Sequence, residues 1–411
     1  MRKEMKIAAA RANVDPAIRG AHRAFQQSFS LRHSYPVYFT TGLLALQHSL
    51  LDELFKAAAE PDNEFKARVF CVLDSGLLPH YPHLIEALKT KAAQSTAWEL
   101  VGEAFVLPGG EQAKNSFSFI ESLYEQFSRL ELDRHSYILA IGGGAVVDAV
   151  GFAAATAHRG IRLVRVPTTV LGQNDSGVGV KNSVNYAGSK NFLGTFAPPW
   201  AVINDSLFLS TLSRRDAVSG MAEAVKVALI KDVAFYSWLT ERAVDLAQIE
   251  PRAVEELIER TALLHLQHIR SSGDPFESGS SRPLDFGHWA AHKLEALTNH
   301  ELRHGEAVSI GIALDTLYSA KSGLLGEHDA LGVVTLLRDL GLPIYDPALE
   351  QHEKDGTPAY VRGLEEFRQH LGGRLSVTLL SSVGRGIQVH EMDLELLESS
   401  RQWLAAIARS H

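Results

Sequence analysis

One cysteine in 411 residues, Cys71, excludes an internal disulfide and with it the small stapled scaffolds of secreted proteins. Its place in the apolar run Val69-Phe70-Cys71-Val72-Leu73 reads as core packing in a reducing compartment. No apolar stretch approaches 18 residues and the N-terminus lacks the apolar middle of a signal peptide, so a soluble, cytoplasmic chain without membrane contact is expected. Positive charge is also short: 40 Lys and Arg against 48 Asp and Glu give a net charge of -8, which removes any general attraction for nucleic acid. An anionic ligand must be held by local cations. What the chain does have is 45% hydrophobic residues, enough for a globular core, and a length that suggests two or three domains.

Residues 1–30 are polar and Ala/Arg-rich without helix start signals and read as an N-terminal extension. Over 31–206, apolar runs at 69–73, 105–107, 137–141, 163–166 and 201–203 alternate with helical patterns at 43–59, 82–95 and 114–130. Strands alternating with helices predict a mostly parallel sheet covered on both faces. Over 207–411 the period turns helical, with Ala-rich stretches at 216–230, 252–270, 288–298 and 305–321, and a strand-like run at 375–380 reads as a small hairpin or edge element. The expected fold class is α/β plus all-α.

The strand Tyr137–Ile141 runs into Gly142-Gly143-Gly144 and then a helix, a turn whose free amides and helix dipole suit a pyrophosphate, although a tight turn alone would also explain it. The spacing is not the usual dinucleotide fingerprint; Asp148, one turn into the helix, makes it distinctive. After Pro167-Thr168-Thr169, a loop mixes small residues with Asp175, Lys181, Lys190 and Asn191. It reads either as a phosphate site or as a solvated Gly/Ser loop. Glu223 and Lys226, three apart, share a helix face and could be a simple ion pair. Yet His288 and His292 share a face four apart, and His304 opens the next helix. Two imidazoles and one carboxylate from three helices form the ligand set of a catalytic zinc.

With these residues in view, the chain from about 35 to 395 resembles the sugar phosphate cyclases, the superfamily of 3-dehydroquinate synthase. The resemblance lies in Pro108-x-Gly110-Glu111-x-x-Lys114, Gly142 to Phe152, Arg159-Gly160 before Pro-Thr-Thr, the Asp175/Lys181/Lys190/Asn191 spacing, Met-Ala-Glu223-x-x-Lys226, Gly-His288-x-x-x-His292 and His304-Gly-Glu-Ala. It implies an NAD-binding α/β domain, a helical metal domain and a cleft between them. The implied zinc ligands, with cobalt as a substitute, are Glu223, His288 and His304. NAD would be held by Asp74, Glu111, Lys114, Gly143, Gly144, Asp148, Thr168 and Thr169, with Asp175 near the substrate hydroxyls. Substrate phosphate would meet Lys181, Asn191 and His292, with Arg159 reaching in from the other subunit of a homodimer, and Lys190 and Lys226 would line the pocket. The implied reaction is transient oxidation by NAD, phosphate elimination, return of the hydride and intramolecular aldol closure.

The pattern departs from 3-dehydroquinate synthases at the substrate carboxylate. Where that family presents a Lys and an Arg, Gln267 and Ser281 stand here, with His268 and Arg282 one place along, and Asp285 replaces an Asn. A carboxylate buried without cations is costly, so a carboxylated heptulosonate is disfavoured unless Arg282 or Arg270 substitutes. The family's C-terminal phosphate-binding Lys has only Arg368 nearby. His292 points the other way, because relatives acting on sedoheptulose 7-phosphate often lack it. Gly273 to Glu277 with Arg282 to Trp289 is most similar to the cyclase branch of bacterial ebo-type gene clusters. The expected substrate is a seven-carbon ketose phosphate such as sedoheptulose 7-phosphate. The alternatives are 3-deoxy-arabino-heptulosonate 7-phosphate and, for a different reaction, a metal-dependent polyol dehydrogenase.

Overall fold

The structure, a computed structural model, describes residues 26–57, 66–187, 189–271, 276 and 283–410. Residues 26–34, the described part of a first unit Met1–Ser34, carry no helix or strand; Tyr35–His411 is a second, compact unit. The expected extension over 1–30 falls mostly outside the described residues.

Seven parallel strands form the first half of the larger unit: β1 (Val37–Thr40), β2 (Ala67–Asp74), β3 (Trp98–Leu100), β4 (Phe105–Leu107), β5 (Tyr137–Gly142), β6 (Arg162–Pro167) and β9 (Ala201–Asp205). Their order is β1-β9-β6-β5-β2-β3, with β4 pairing the far end of β2. Strands covered on both faces need apolar residues at every position, and β5 is buried throughout. Alternate residues of β2 therefore enter opposite cores. Val69, Cys71 and Leu73 pack under α1 (Leu50–Ala57) and α2 (Leu84–Gln94), whereas Phe70 and Val72 face α4 (Phe117–Arg129) and α5 (Gly144–Thr156). Burial pushes the Cys71 thiol far above its ordinary value, as a packing role requires.

Two expectations change in this half. The polar segment after Thr169 is not all loop: β7 (Lys181–Tyr186) and β8 (Ser189–Phe196) pair as an antiparallel hairpin, because Asn182 and Val184 alternate inward against α5. The helix expected over 114–130 is two, α3 (Gln112–Asn115) and α4, separated by Ser116.

The second half is built from α6 (Arg214–Ser219), α7 (Ala222–Lys231), α8 (Val233–Glu241), α9 (Ala243–Ala247), α10 (Pro251–Ser271), α11 (His288–Leu297), α12 (His304–Lys321), α13 (Glu327–Asp339), α14 (Arg362–His370) and α15 (Leu394–Arg409), with the small hairpin β10 (Val377–Ser382) and β11 (Arg385–Val389). The stretch expected as one helix over 216–230 breaks at Gly220-Met221 into α6 and α7. Helix α12 is the axis of this half, buried almost all round from Gly305 to Ser319. It lies so close to the start of α11 that a Cβ at Gly311 would sit 2.0 Å from the Gly287 carbonyl oxygen, and Gly287 itself turns with φ +78°. Among the described residues no helix is long and apolar enough to cross a membrane.

Candidate active site

The carboxyl ends of β2, β5 and β6 converge, as ligand-binding edges of parallel sheets do. Asp74 ends β2 and accepts from the backbone amides of Gly76 (2.8 Å) and Gly143 (3.1 Å), which ties the glycine turn to the strand beside it. Gly144 opens α5, whose first amides have no helical carbonyl before them. Thr168 donates its amide to Gly142 (3.0 Å), and Thr169 Oγ1 accepts from Gly172 (3.0 Å). Lys114, with 4% of its side chain exposed, pairs with Asp148 at 3.0 Å and donates to Ser183 Oγ at 3.0 Å and to Asn191 Oδ1. Glu111 accepts from Asn185 at 2.7 Å. The structure thus gathers the residues expected at NAD, and Asn191, expected at the substrate phosphate, joins the Lys114 and Asp148 pair.

Beyond Thr169 the chain turns back through Asp175 to β7, and a buried guanidinium sets its path. Arg165, inside β6 and fully buried, donates to the carbonyls of Gly177 (3.1 Å), Gly179 (2.8 Å) and Lys181 (3.0 Å) and to Asn182 Oδ1 (2.6 Å). Asp175 receives His265 Nδ1 from α10 at 2.8 Å. Burial works against its charge, but Lys226 and His265 hold its carboxyl well below the usual carboxylate range.

In the helical half three ligand atoms, from Glu223 of α7, His288 of α11 and His304 of α12, lie within 4.8 Å of one another. Both Nε2 atoms stand 3.6 Å from Glu223 Oε1. Ligands about 2.0–2.1 Å from a tetrahedral ion sit roughly 3.4 Å apart, so the spacing fits zinc or a similar cation. Glu223 Oε1 is buried without a hydrogen-bond donor, and Oε2 faces Lys226 Nζ in an ion-pair contact that lacks hydrogen-bond alignment. An ionised carboxylate in that position lacks a partner that a divalent cation would provide. Despite burial, the Lys226 ammonium holds the Glu223 carboxyl below the usual carboxylate range, so it is ionised and ready to bind. Each imidazole is aimed through its other nitrogen: His288 Nδ1 donates to the Phe286 carbonyl (3.1 Å), and His304 Nδ1 lies 3.3 Å from Glu295 Oε2.

His292 shares the α11 face with His288, their ring centroids 5.5 Å apart, and lies outside the compact triad. Lys190 Nζ reaches from β8 to Glu295 Oε1 at 2.6 Å. Lys181 and Lys226 face Asp285, which together with His288 hold that carboxyl below its usual range against the effect of burial. Arg159 is exposed and has φ +62°, an uncommon conformation for a side chain of its size. Arg368 on α14 forks onto Glu365 (2.6 and 2.8 Å) and donates to the Gly373 carbonyl (2.8 Å). Arg282, Ser281 and Gly273 to Pro275 lie outside the described residues.

Three residues at this site escaped the sequence reading. His265 lies on the buried stripe Ile258-Thr261-Ala262 of α10 and meets Asp175. Glu295 falls seven after His288 and three after His292, one helix face that the sequence displays openly. Asp315, in the apolar interior of α12, accepts from Gly287 N (3.1 Å) and Trp289 Nε1 (2.9 Å), and so pins the start of α11.

Sequence patterns of two families match the chain in succession, 3-dehydroquinate synthase N-terminal over residues 104–219 and 3-dehydroquinate synthase C-terminal over 220–356. A 3-dehydroquinate synthase of Nitrosococcus oceani is 32% identical over 89% of this chain and 95% of its own length. A 2-epi-5-epi-valiolone synthase of Streptomyces glaucescens is 37% identical over 68% of this chain and 70% of its own. The fold is similar to that of the 2-epi-5-epi-valiolone synthase of Streptomyces hygroscopicus subsp. jinggangensis, solved with NAD+ and Zn2+ bound, at a TM-score of 0.82 and 28% identity over 93% of this chain and all of that one.

Proposed function

We propose, from the premise that this chain belongs to the 3-dehydroquinate synthase family of sugar phosphate cyclases, that it closes a seven-carbon ketose phosphate, sedoheptulose 7-phosphate, into a carbocycle with release of phosphate. NAD at the glycine turn and zinc, or cobalt, at Glu223, His288 and His304 are its cofactors, and the orphaned oxygen of Glu223 supports the metal assignment. When bound, the ion polarises a substrate hydroxyl and NAD+ takes up and returns a hydride.

The observation that carries the substrate choice is Asp285. Its ionised carboxyl faces the same Lys181, Lys226 and His292 that would surround the substrate. The phosphate that either substrate carries engages those cations, so a further anionic group, the carboxylate, would meet Asp285 as like charge, whereas a hydroxyl would find an acceptor. Gln267, at a position where a cation would serve a carboxylate, is exposed on α10. Asp175, held ionised, accepts a hydrogen bond from a substrate hydroxyl, with His265 fixing its orientation. Lys181, Lys190 and His292 supply cationic or donor groups for the phosphate, with Asn191 and Arg368 as further donors. Arg159, exposed and strained, would complete the site of a second copy, which makes the enzyme a homodimer. The one-cysteine composition supports a cytoplasmic setting.

The test is phosphate release by purified protein with NAD and zinc, offered sedoheptulose 7-phosphate or 3-deoxy-arabino-heptulosonate 7-phosphate, with the product weighed by mass spectrometry. Turnover of the ketose phosphate alone is expected. Turnover of the heptulosonate alone would establish the second reading, a 3-dehydroquinate synthase, which His292 favours. Net accumulation of reduced nicotinamide would instead make it a dehydrogenase.

A further inference from the structure

Glu295 stands between two groups that the sequence assigns to different tasks. Its Oε2 faces His304 Nδ1 at 3.3 Å and its Oε1 receives Lys190 Nζ at 2.6 Å, while only 5% of its own side chain is exposed. His304 opens α12 in the helical half, and Lys190 comes from the β7–β8 hairpin of the α/β half. One buried carboxylate therefore ties the hairpin to the helix that carries a metal ligand.

Two roles fit this geometry. Glu295, His292 and His304 lie close enough to hold a cation of their own. Against that, Oε1 already carries an ammonium, and a second cation beside Lys190 would be repelled. His304, moreover, turns Nδ1 to Glu295 and Nε2 to Glu223, so its second nitrogen already belongs to the other triad. A ligating imidazole whose other nitrogen donates to a carboxylate is fixed in tautomer and orientation and made a better ligand.

We propose that Glu295 is a positioning residue that couples the metal ion to substrate: one oxygen aims His304 Nε2 at the ion, and the other holds Lys190 at the sugar phosphate. The proposal rests on the metal reading above. It depends on two acceptor oxygens facing two donors, which a glutamine cannot reproduce, since its amide nitrogen must face His304 or Lys190.

The test is zinc affinity of the full-length, metal-stripped protein, measured by competition with a chromophoric chelator, together with KM for the sugar phosphate. Glu295→Gln should weaken zinc about 10- to 100-fold, the usual effect of losing such a supporting carboxylate, and should also raise KM. Lys190→Met should raise KM while leaving zinc affinity within about threefold, because Glu295 still holds His304. Glu295→Asp keeps both acceptors, so it should recover more zinc affinity than Glu295→Gln, and it serves if the glutamine variant does not fold. The cobalt-loaded Glu295→Gln protein should show a shifted visible spectrum, a readout that loss of packing elsewhere would not move. If Glu295→Gln bound zinc as the parent does while Glu223→Gln did not, Glu295 would have no positioning role. If Glu223→Gln also bound zinc normally, the metal reading itself would fall.

Discussion

The glycine-turn end and the metal end of the site solve the burial of charge in opposite ways. Around the turn every carboxylate already has partners within the chain: Asp74 holds two amides, Asp148 holds Lys114, and Glu111 holds Asn185. At the metal end Glu223 Oε1 has no donor although both neighbouring imidazoles point at it. In the first region the carboxylates are satisfied without a ligand, and the amides at the start of α5 are left to receive one. The second is arranged around a charge that the polypeptide itself does not contain.

The comparison is broken most severely at Glu223. Glu223→Gln removes the ligand charge with almost no change in shape, and loss of several kcal/mol of charge stabilisation corresponds to a fall of about 10³-fold in phosphate release. Atomic absorption of the dialysed protein should show the zinc gone. Retained zinc and turnover would mean that the orphaned oxygen is a packing accident. Lys114→Met tests the other end, because it leaves Asp148 without its ammonium. Removing one partner of a buried pair costs about 3 kcal/mol, which denaturant titration reads directly, and NAD affinity should fall with it.

Asp315 sharpens the contrast through pH. Burial pushes its carboxyl up to about 7, in spite of the two donors from Gly287 and Trp289. Between about pH 4 and 7 the unfolded chain has lost a proton that the folded chain keeps. Stability should therefore fall as pH rises across that window, with a contribution on the order of 1 kcal/mol per pH unit from this group. Asp315→Asn should flatten that part of the profile of midpoint against pH, and an unchanged slope would place the proton elsewhere. The smallest effect is expected at Asp74→Asn. One of two amide hydrogen bonds survives, so a loss of about 1 kcal/mol in stability and little change in zinc content should follow.

Much of this was legible in the sequence, for reasons that differ by region. Buried parallel strands announce themselves as unbroken apolar runs, so β2, β5, β6 and β9 stand where expected, and helices α10, α11 and α12 follow their period to within a residue or two. The hairpin β7–β8 was hidden because only Asn182 and Val184 face inward, and a buried asparagine is not read as half of an apolar alternation. The short strands β1 and β3 owe their existence to neighbours far away in the chain, Val202 to Asp205 and Ala67 to Val69. The cluster of Glu223, His288 and His304 was visible because its residue types and spacing carry chemistry. His265 acts through a contact 90 residues away, Arg165 through contacts up to 17 away and Glu295 through contacts 9 and 105 away, which no local pattern reports.

Helix α12 carries His304 at its first turn, Gly311 against the Gly287 carbonyl seven residues on, and Asp315 eleven residues on. Seven and eleven are near-whole numbers of helical turns, so the three share one edge. Inserting a single residue inside this span would swing its halves apart by about 100° and disconnect the imidazole from its two anchors. Loops on either side can lengthen over evolutionary time without such damage. The interval from His304 to Asp315 is a ruler whose length is fixed even where the residues between its marks are free to vary.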